Sequence, residues 1–252
     1  MTGTVRIQAE GPMTRVTLDR PDKGNSLSAG MVGALDAAID RCREDGTALF
    51  VLDAEGRHFC TGFDLGNLDE ATDDALMARF VRIEILLQKL QAAPFLTVAL
   101  GRGRIVGAGA DLFVACQRRL LAADASFRFP GAAFGLVLGT GRLARAVGPV
   151  RACEWVGSGR WIPQDEALAA GLAHGLVDEA GVAPVLQRLL AEGTRLDGTT
   201  RGALQAAAGR ERHADQDLRA LVLSAARPGL CERIRAFRAA ALETSLTRSM
   251  KA

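Results

Sequence analysis

Two glycine-centred segments about 45 residues apart constrain this chain more tightly than any other feature. They read His58-Phe59-Cys60-Thr61-Gly62-Phe63-Asp64-Leu65 and Gly103-Arg104-Ile105-Val106-Gly107-Ala108-Gly109-Ala110-Asp111-Leu112. A short apolar run precedes each, Leu49 to Leu52 in the first case and Phe95 to Leu100 in the second, so each lies past the exit of a predicted strand. Small residues at such exits let a ligand approach the backbone closely. Two turns whose N–H groups aim at one point can hold an oxygen on which negative charge develops, which makes acyl chemistry the leading expectation.

The flanking pattern supplies the rest of an α/β chain. Val5, Ile7 and Ala9 alternate, as do Val16 and Leu18, and Gly11-Pro12 between them predicts a hairpin over Thr4 to Asp19. Ser28 can cap a helix whose apolar stripe is Met31, Leu35, Ile39 and Cys42, with Asp45-Gly46 as its break. Leu76, Phe80, Ile83, Leu87 and Leu90 predict a long helix from about Asp74 to Ala92 with one face in the core, ended by Pro94. The second glycine segment should itself open a helix through Leu112, Val114 and Cys116, so an oxyanion there would face a helix N-terminus. Pro163, in a first turn, and Gly171 bracket another short helix. From Val182 onward the chain reads as helix-rich, with breaks at Gly193 to Thr199 and at Pro228-Gly229. The repeated β-helix-β order predicts stacked β-β-α units more than two independent domains.

Composition narrows the class. A chain of 252 residues with 48% hydrophobic residues can bury a substantial core. Its net charge of +2 conceals 28 arginines against three lysines, Lys23, Lys89 and Lys251. No block of consecutive like charges, aromatic-interleaved basic stretch or zinc-type spacing occurs, which points away from nucleic acid and from a bound metal. Five scattered cysteines, Cys42, Cys60, Cys116, Cys153 and Cys231, favour reduced thiols. Cys60 reads as a buried filler, since no histidine can be placed beside it. Met1 to Glu10 has no apolar core of signal-peptide length and no apolar run reaches membrane-spanning length, so the expectation is a soluble cytoplasmic protein with no membrane partner.

Five blocks then occur in order: Leu18-Asp19-Arg20-Pro21-Asp22-Lys23-Gly24-Asn25-Ser26-Leu27, the two glycine segments, Phe127 to Gly148, and Glu166-Ala167-Leu168-Ala169-Ala170-Gly171-Leu172. Through them, from about Val5 to Val177, the chain resembles the crotonase family, also called the enoyl-CoA hydratase/isomerase superfamily. That resemblance implies an α/β, crotonase-like spiral of β-β-α units over residues 1–193. A helical C-terminal section, residues 194–252, would make trimer contacts and cover the active site. It implies an acyl-CoA thioester as partner, coenzyme A being part of the substrate with no separate cofactor, and a homotrimer or dimer of trimers. Matched residue by residue, the oxyanion donors are the N–H groups of Phe63 and Ala108. The coenzyme A contacts fall on Lys23, Gly24, Asn25, Ser26 and Leu27 on the nucleotide side, and on Asp64, Leu65 and Gly66 along the pantetheine arm. The stretch Gly66 to Asp73 corresponds to a segment that is often mobile and shapes the acyl pocket; a solvated loop is the other reading.

Departures from the family's pattern bear on the reaction. Hydratases of the family use two glutamates; here Asp111 stands at the first position and Gly131, in Phe127-Arg128-Phe129-Pro130-Gly131, at the second. A glycine transfers no proton, so efficient hydration is not expected, and Asp111 becomes the leading proton-transfer group, with a turn-bracing role as its structural alternative. The run from Gly135 to Leu143 is about three residues shorter than usual for the family. Arg104, Arg128 and Arg142 lie in or beside matched segments, and one of them could bind a polar acyl terminus or a phosphate, surface exposure being the plainer reading. His58, His174 and His213 are weak catalytic candidates. The resulting expectation is an acyl-CoA isomerase, lyase or hydrolase acting through Asp111. The alternatives are a hydratase of low activity and a non-catalytic acyl-CoA-binding paralogue.

Overall fold

The fold, taken from a computed structural model that describes residues 4–209 and 212–249, starts with the expected hairpin. Strands β1 (Val5–Glu10) and β2 (Met13–Leu18) pair antiparallel with Val5 opposite Leu18, and Gly11 turns the corner at φ 57°. Helix α1 (Ala29–Glu44) begins where Ser28 Oγ accepts a hydrogen bond from Met31 N at 3.2 Å, and its stripe Met31, Leu35, Ile39 and Cys42 is buried. Strand β3 (Leu49–Ala54) and helix α2 (Asp73–Gln91) follow, then β4 (Leu96–Gly101) and the short β5 (Arg104–Val106). All five apolar residues predicted to line the core face of α2 are buried.

Helix α3 (Ala108–Ala115) opens at the second glycine segment. After it come β6 (Arg118–Leu121), β7 (Ser126–Arg128), a single 3₁₀ turn at Gly131–Phe134, α4 (Thr140–Val147), α5 (Pro149–Ser158), β8 (Ile162–Pro163), α6 (Gln164–Ala169) and β9 (Gly175–Leu176). The chain then turns helical: α7 (Glu179–Thr194), α8 (Gly198–Ala207), α9 (Ala214–Ala225) and α10 (Leu230–Ser249). Among the described residues no helix is long and apolar enough to cross a membrane.

Two sheets organise these elements. The larger runs β1-β2-β3-β4-β6-β9, parallel throughout except at the β1–β2 hairpin, and the smaller runs β5-β7-β8. Strand β3 is buried over its whole length, as expected for a parallel strand covered on both faces. Alternation divides its side chains between two cores. Phe50, Leu52 and Ala54 join α1, α2 and α3, whereas Leu49 and Val51, with Leu96, Val98 and Leu100 of β4, pack against Leu186 and Leu189 of α7.

Two sequence expectations need adjustment. The break at Gly193 to Thr199 narrows to three residues, 195–197, because α7 continues through Thr194 and Asp197 Oδ1 caps α8 by accepting from Thr200 N at 2.8 Å. Gly193 is there for close packing: a Cβ on it would stand 2.7 Å from the carbonyl oxygen of Ala48. Pro163 precedes α6 as its N-cap instead of lying inside the first turn.

The polar stretch Gly66 to Asp73 is anchored. Leu68 is buried, and Arg235 of α10 donates to the carbonyl oxygens of Leu68 at 3.0 Å and Asp69 at 3.2 Å. The Asp73 carboxylate accepts the N–H groups of Gly229, Leu230 and Cys231 at 2.8, 3.0 and 2.8 Å, which satisfies the orphan donors at the start of α10. Those bonds, Cys231's first, hold the Asp73 carboxyl at about 2. Its folded value lies below its ordinary 3.8, so the clasp is fully present above about pH 4 and is lost as pH falls through 2. Asp73→Ala should therefore speed amide exchange at Leu230 and Cys231 at neutral pH, while wild type shows the same loosening only in strong acid; equal exchange rates in the two proteins at pH 7 would remove the clasp from the account.

Candidate active site

Residue numbering itself shows how the two glycine segments meet. Cys60 forms an isolated parallel bridge with Ile105, its N–H donating to Arg104 O at 3.4 Å while Val106 N donates to Cys60 O at 2.9 Å. Two residues beyond this bridge the first turn, at Gly62, comes up against the start of the second segment's helix at Ala108. Contact between the turns is direct: a Cβ on Gly62, whose φ is 103°, would lie 2.9 Å from Val106 O and 3.9 Å from Ala108 N. Only glycine combines that backbone conformation with that approach.

Neither Phe63 N nor Ala108 N donates to a protein acceptor among the described residues. The flanking groups are engaged: Leu27 N donates to Gly62 O at 2.7 Å, Asp64 N to Leu27 O at 3.2 Å and Gly107 N to Arg128 O at 2.9 Å. Ala108 is the first residue of α3, where N–H groups lack intrahelical partners and the dipole favours negative charge. The Phe63 ring stacks on Phe80 with centroids 4.3 Å apart, and the Arg79 guanidinium lies 4.1 Å from its centroid on donating to Asp64 O at 2.9 Å. Helix α2 thus steadies the first turn.

Both turns open on a cavity of about 310 Å³. Its walls are largely apolar, from Phe63, Leu65 and Phe80 through Phe129, Leu136 and Leu143 to Ile234 and Phe237 of α10, with Arg104, Arg128 and Trp161 at the β5-β7-β8 sheet. Asp111 and Gly131 also line it, and Asp111 is the one carboxylic acid among the described lining residues.

Asp111 is 5% exposed, and no hydrogen-bond donor reaches its carboxyl among the described residues. A turn-bracing carboxylate would collect such donors, so the bracing alternative lacks its defining contacts. Burial pushes this carboxyl well above its ordinary value; the Arg142 guanidinium opposes the shift, and the Glu84 and Asp217 carboxylates add to it. The group is therefore held neutral well beyond the usual carboxylate range. Its side chain occupies the space where Gly139, at φ 67°, would carry a Cβ. Gly139, with no Cβ, thus makes room for the acid.

Arg142 is not available to a ligand. It is 4% exposed, donating to Glu84 Oε1 at 2.8 Å and to Gln91 Oε1 at 2.7 Å, with Asp217 at 3.7 Å. Arg145 also pairs with Asp217. This ties α2, α4 and α9 together behind Asp111. Removing one partner leaves a buried charge uncompensated, so Arg142→Met should cost about 3 to 5 kcal/mol by chemical denaturation, whereas a loss under 1 kcal/mol would mean that Glu84 finds solvent or another cation.

The matched coenzyme residues fall into two groups. Leu65 lines the cavity, and Leu27 and Phe63 line a neighbouring one with Arg79 and Arg82. Asn25, fully buried at φ 55°, spends its side chain inside the protein, donating to Glu55 O at 2.9 Å and His58 O at 2.8 Å and accepting from Arg20 N. Ser26 is nearly buried, and Gly24 packs against Thr61, where a Cβ would meet the side chain at 2.8 Å. Asp64 is paired with Arg20 at 2.8 Å and accepts from Gly66 N at 2.9 Å; although burial raises its carboxyl, these contacts outweigh it and hold the group below the usual range. Lys23 ends a short 3₁₀ turn at Pro21–Lys23 and is exposed.

The histidines serve the backbone. His58 Nδ1 accepts from Arg104 N at 3.2 Å, His174 Nδ1 from Arg119 N at 3.1 Å, and His213 precedes α9. Cys60 is wholly buried with its thiol pushed up to about 12 by burial, the behaviour of a filler. Sequence reasoning missed Arg79, Phe80, Gly139 and Trp161. Arg79 and Phe80 lie on a helix read only for its apolar stripe, and the shortened glycine run was the one local sign of Gly139.

Comparison with known proteins identifies the family. The chain matches the family described as "Enoyl-CoA hydratase/isomerase" over residues 8–220. It is 33% identical over 185 residues to a Bacillus subtilis protein named "Probable enoyl-CoA hydratase", covering 70% of each chain. It is 30% identical over 183 residues to the Xenopus laevis "Ethylmalonyl-CoA decarboxylase", covering 69% of this chain and 61% of that one. A solved structure from Bordetella parapertussis, titled "putative enoyl-CoA hydratase/isomerase", superposes with a TM-score of 0.91 at 39% identity, covering 94% of this chain and 98% of the other. With the paired turns, the two-sheet spiral and a family match across most of its length, this chain belongs to the enoyl-CoA hydratase/isomerase, or crotonase, family.

Proposed function

We propose that this family member is an acyl-CoA lyase. In this reading the Phe63 and Ala108 N–H groups hold the thioester oxygen as an enolate, and Asp111 delivers the proton that quenches it. The single observation that carries it is the lone, buried carboxyl of Asp111, whose ionisation burial disfavours, lining one cavity with two N–H groups that have no protein acceptor among the described residues. A neutral acid can give a proton but cannot first remove one. That favours decarboxylation, in which the carbanion arises with no proton removed first, over isomerisation, hydrolysis or release of a carbonyl fragment, which all start with a base.

For an α-carboxylated thioester, the C–CO₂ bond breaks and its electron pair enters the enolate. The pair then takes the Asp111 proton at the α-carbon, and water returns a proton to the carboxylate, so one proton is consumed overall. The similarity to a protein named ethylmalonyl-CoA decarboxylase supports this reading. Hydration, suggested by relatives named enoyl-CoA hydratases, finds no second carboxyl among the described lining residues, where Gly131 lines the cavity instead.

A panel of malonyl-type, β-hydroxyacyl, enoyl and saturated acyl-CoA esters, with product masses read by mass spectrometry, tests the choice. Loss of carbon dioxide is expected. Crotonyl-CoA hydration should run about 10² to 10⁴-fold below a two-carboxylate enzyme, the contribution of one general acid or base. Addition of water as the dominant mass change would reject the lyase, and binding without turnover across the panel would favour the non-catalytic paralogue.

A further inference from the structure

Arg104 and Arg128 sit diagonally on one face of the small sheet. In the β5–β7 register Arg104 pairs with Ser126 and Val106 with Arg128, so both arginine side chains leave the face opposite the buried Ile105 and Phe127. They meet over one indole: the two guanidinium carbons lie 5.6 and 5.8 Å from the centroid of Trp161. Arg128 Nε donates to Gly159 O at 2.7 Å, and no carboxylate pairs with either guanidinium among the described residues. Acids are at hand, for the adjacent Arg160 is clamped by Glu154 and Glu166. Two like charges beside one aromatic ring, at an apolar cavity, are best relieved by an anion between them.

We propose that Arg104 and Arg128 form a carboxylate-binding rim of this cavity, and that the acyl group it accepts ends in a carboxylate remote from the thioester. This rests on the acyl-CoA reading given above. The carboxylate is one that stays through the reaction: a guanidinium on a leaving carboxylate would stabilise the ground state more than the transition state, in which that charge disperses. Position agrees, because both arginines line the cavity onto which the two glycine turns and Asp111 open. A coenzyme phosphate fits less well, since these arginines line the same cavity as Asp111, whereas the residues matched to the nucleotide side lie outside it.

Titration calorimetry with glutaryl-CoA, pentanoyl-CoA and free coenzyme A decides. Glutaryl-CoA should bind at least about tenfold more tightly than pentanoyl-CoA, the discrimination of a charged, forked contact. In the Arg104→Gln/Arg128→Gln protein that ratio should fall to near one. If the double variant does not fold, Arg104→Lys and Arg128→Lys singly, keeping the charge and losing the fork, should each lower the ratio several-fold. Equal affinities in wild type, or an equal weakening of all three ligands including free coenzyme A in the variants, would overturn the carboxylate rim. So would a change in subunit number on light scattering, which would make the pair a subunit contact. Binding of none of the three would instead reject the acyl-CoA reading itself.

Discussion

Asp111→Asn should lower kcat by about 10² to 10⁴-fold and leave acyl-CoA affinity within a few-fold, because the amide keeps the shape and loses the proton. The same substitution should stabilise the fold. Burial raises the Asp111 carboxyl above its ordinary value of 3.8, and the unfolded chain ionises there while the folded one does not. The stability linked to this group is thus complete below about pH 4 and declines as pH rises toward the folded value. Asparagine has no such decline, so the melting temperature of the variant should exceed that of wild type by a margin that widens from pH 4 to 7. A variant that melts lower at pH 7 and turns over normally would mean that Asp111 is a brace.

The second large effect is expected at Ala108. Proline there removes the N–H outright while suiting the first position of a helix, and the neighbouring bond from Gly107 N to Arg128 O can persist. Losing one donor to a developing oxyanion typically costs about 10² to 10³-fold in kcat, or roughly 3 to 4 kcal/mol. Ala108→Gly, which keeps the donor, should stay near wild type. Retention of most activity in a folded Ala108→Pro protein, judged by circular dichroism on the assayed sample, would remove this N–H from the mechanism.

Local signals in the sequence carried much of the fold. The alternation of Val5, Ile7, Val16 and Leu18, the Ser28 cap and the stripe from Leu76 to Leu90 each depend on neighbours a few residues away, and each appears as the expected element. The glycine segments were legible as strand exits for the same reason. The 45-residue register joining them was visible only as a spacing, because parallel pairing across a helical crossover leaves no local mark. Long-range chemistry was less accessible still. Arg142 looked like a ligand candidate until Glu84, 58 positions away, took its charge. Trp161 gave no sign of collecting Arg104 and Arg128, and Gly139 none of its contact with Asp111. Such partners are chosen by the tertiary fold, so composition and periodicity do not encode them separately.

In the proposed mechanism Asp111 delivers a proton to one face of an enolate. The direct measurement is a single turnover in D₂O of a thioester that the panel identifies as substrate, followed by NMR of the product. Wild type should place one deuterium at the α-carbon in a single configuration, and Asp111→Asn should give slow, configurationally mixed labelling from solvent. Mixed labelling by wild type, or an unchanged rate and configuration in the variant, would contradict the account.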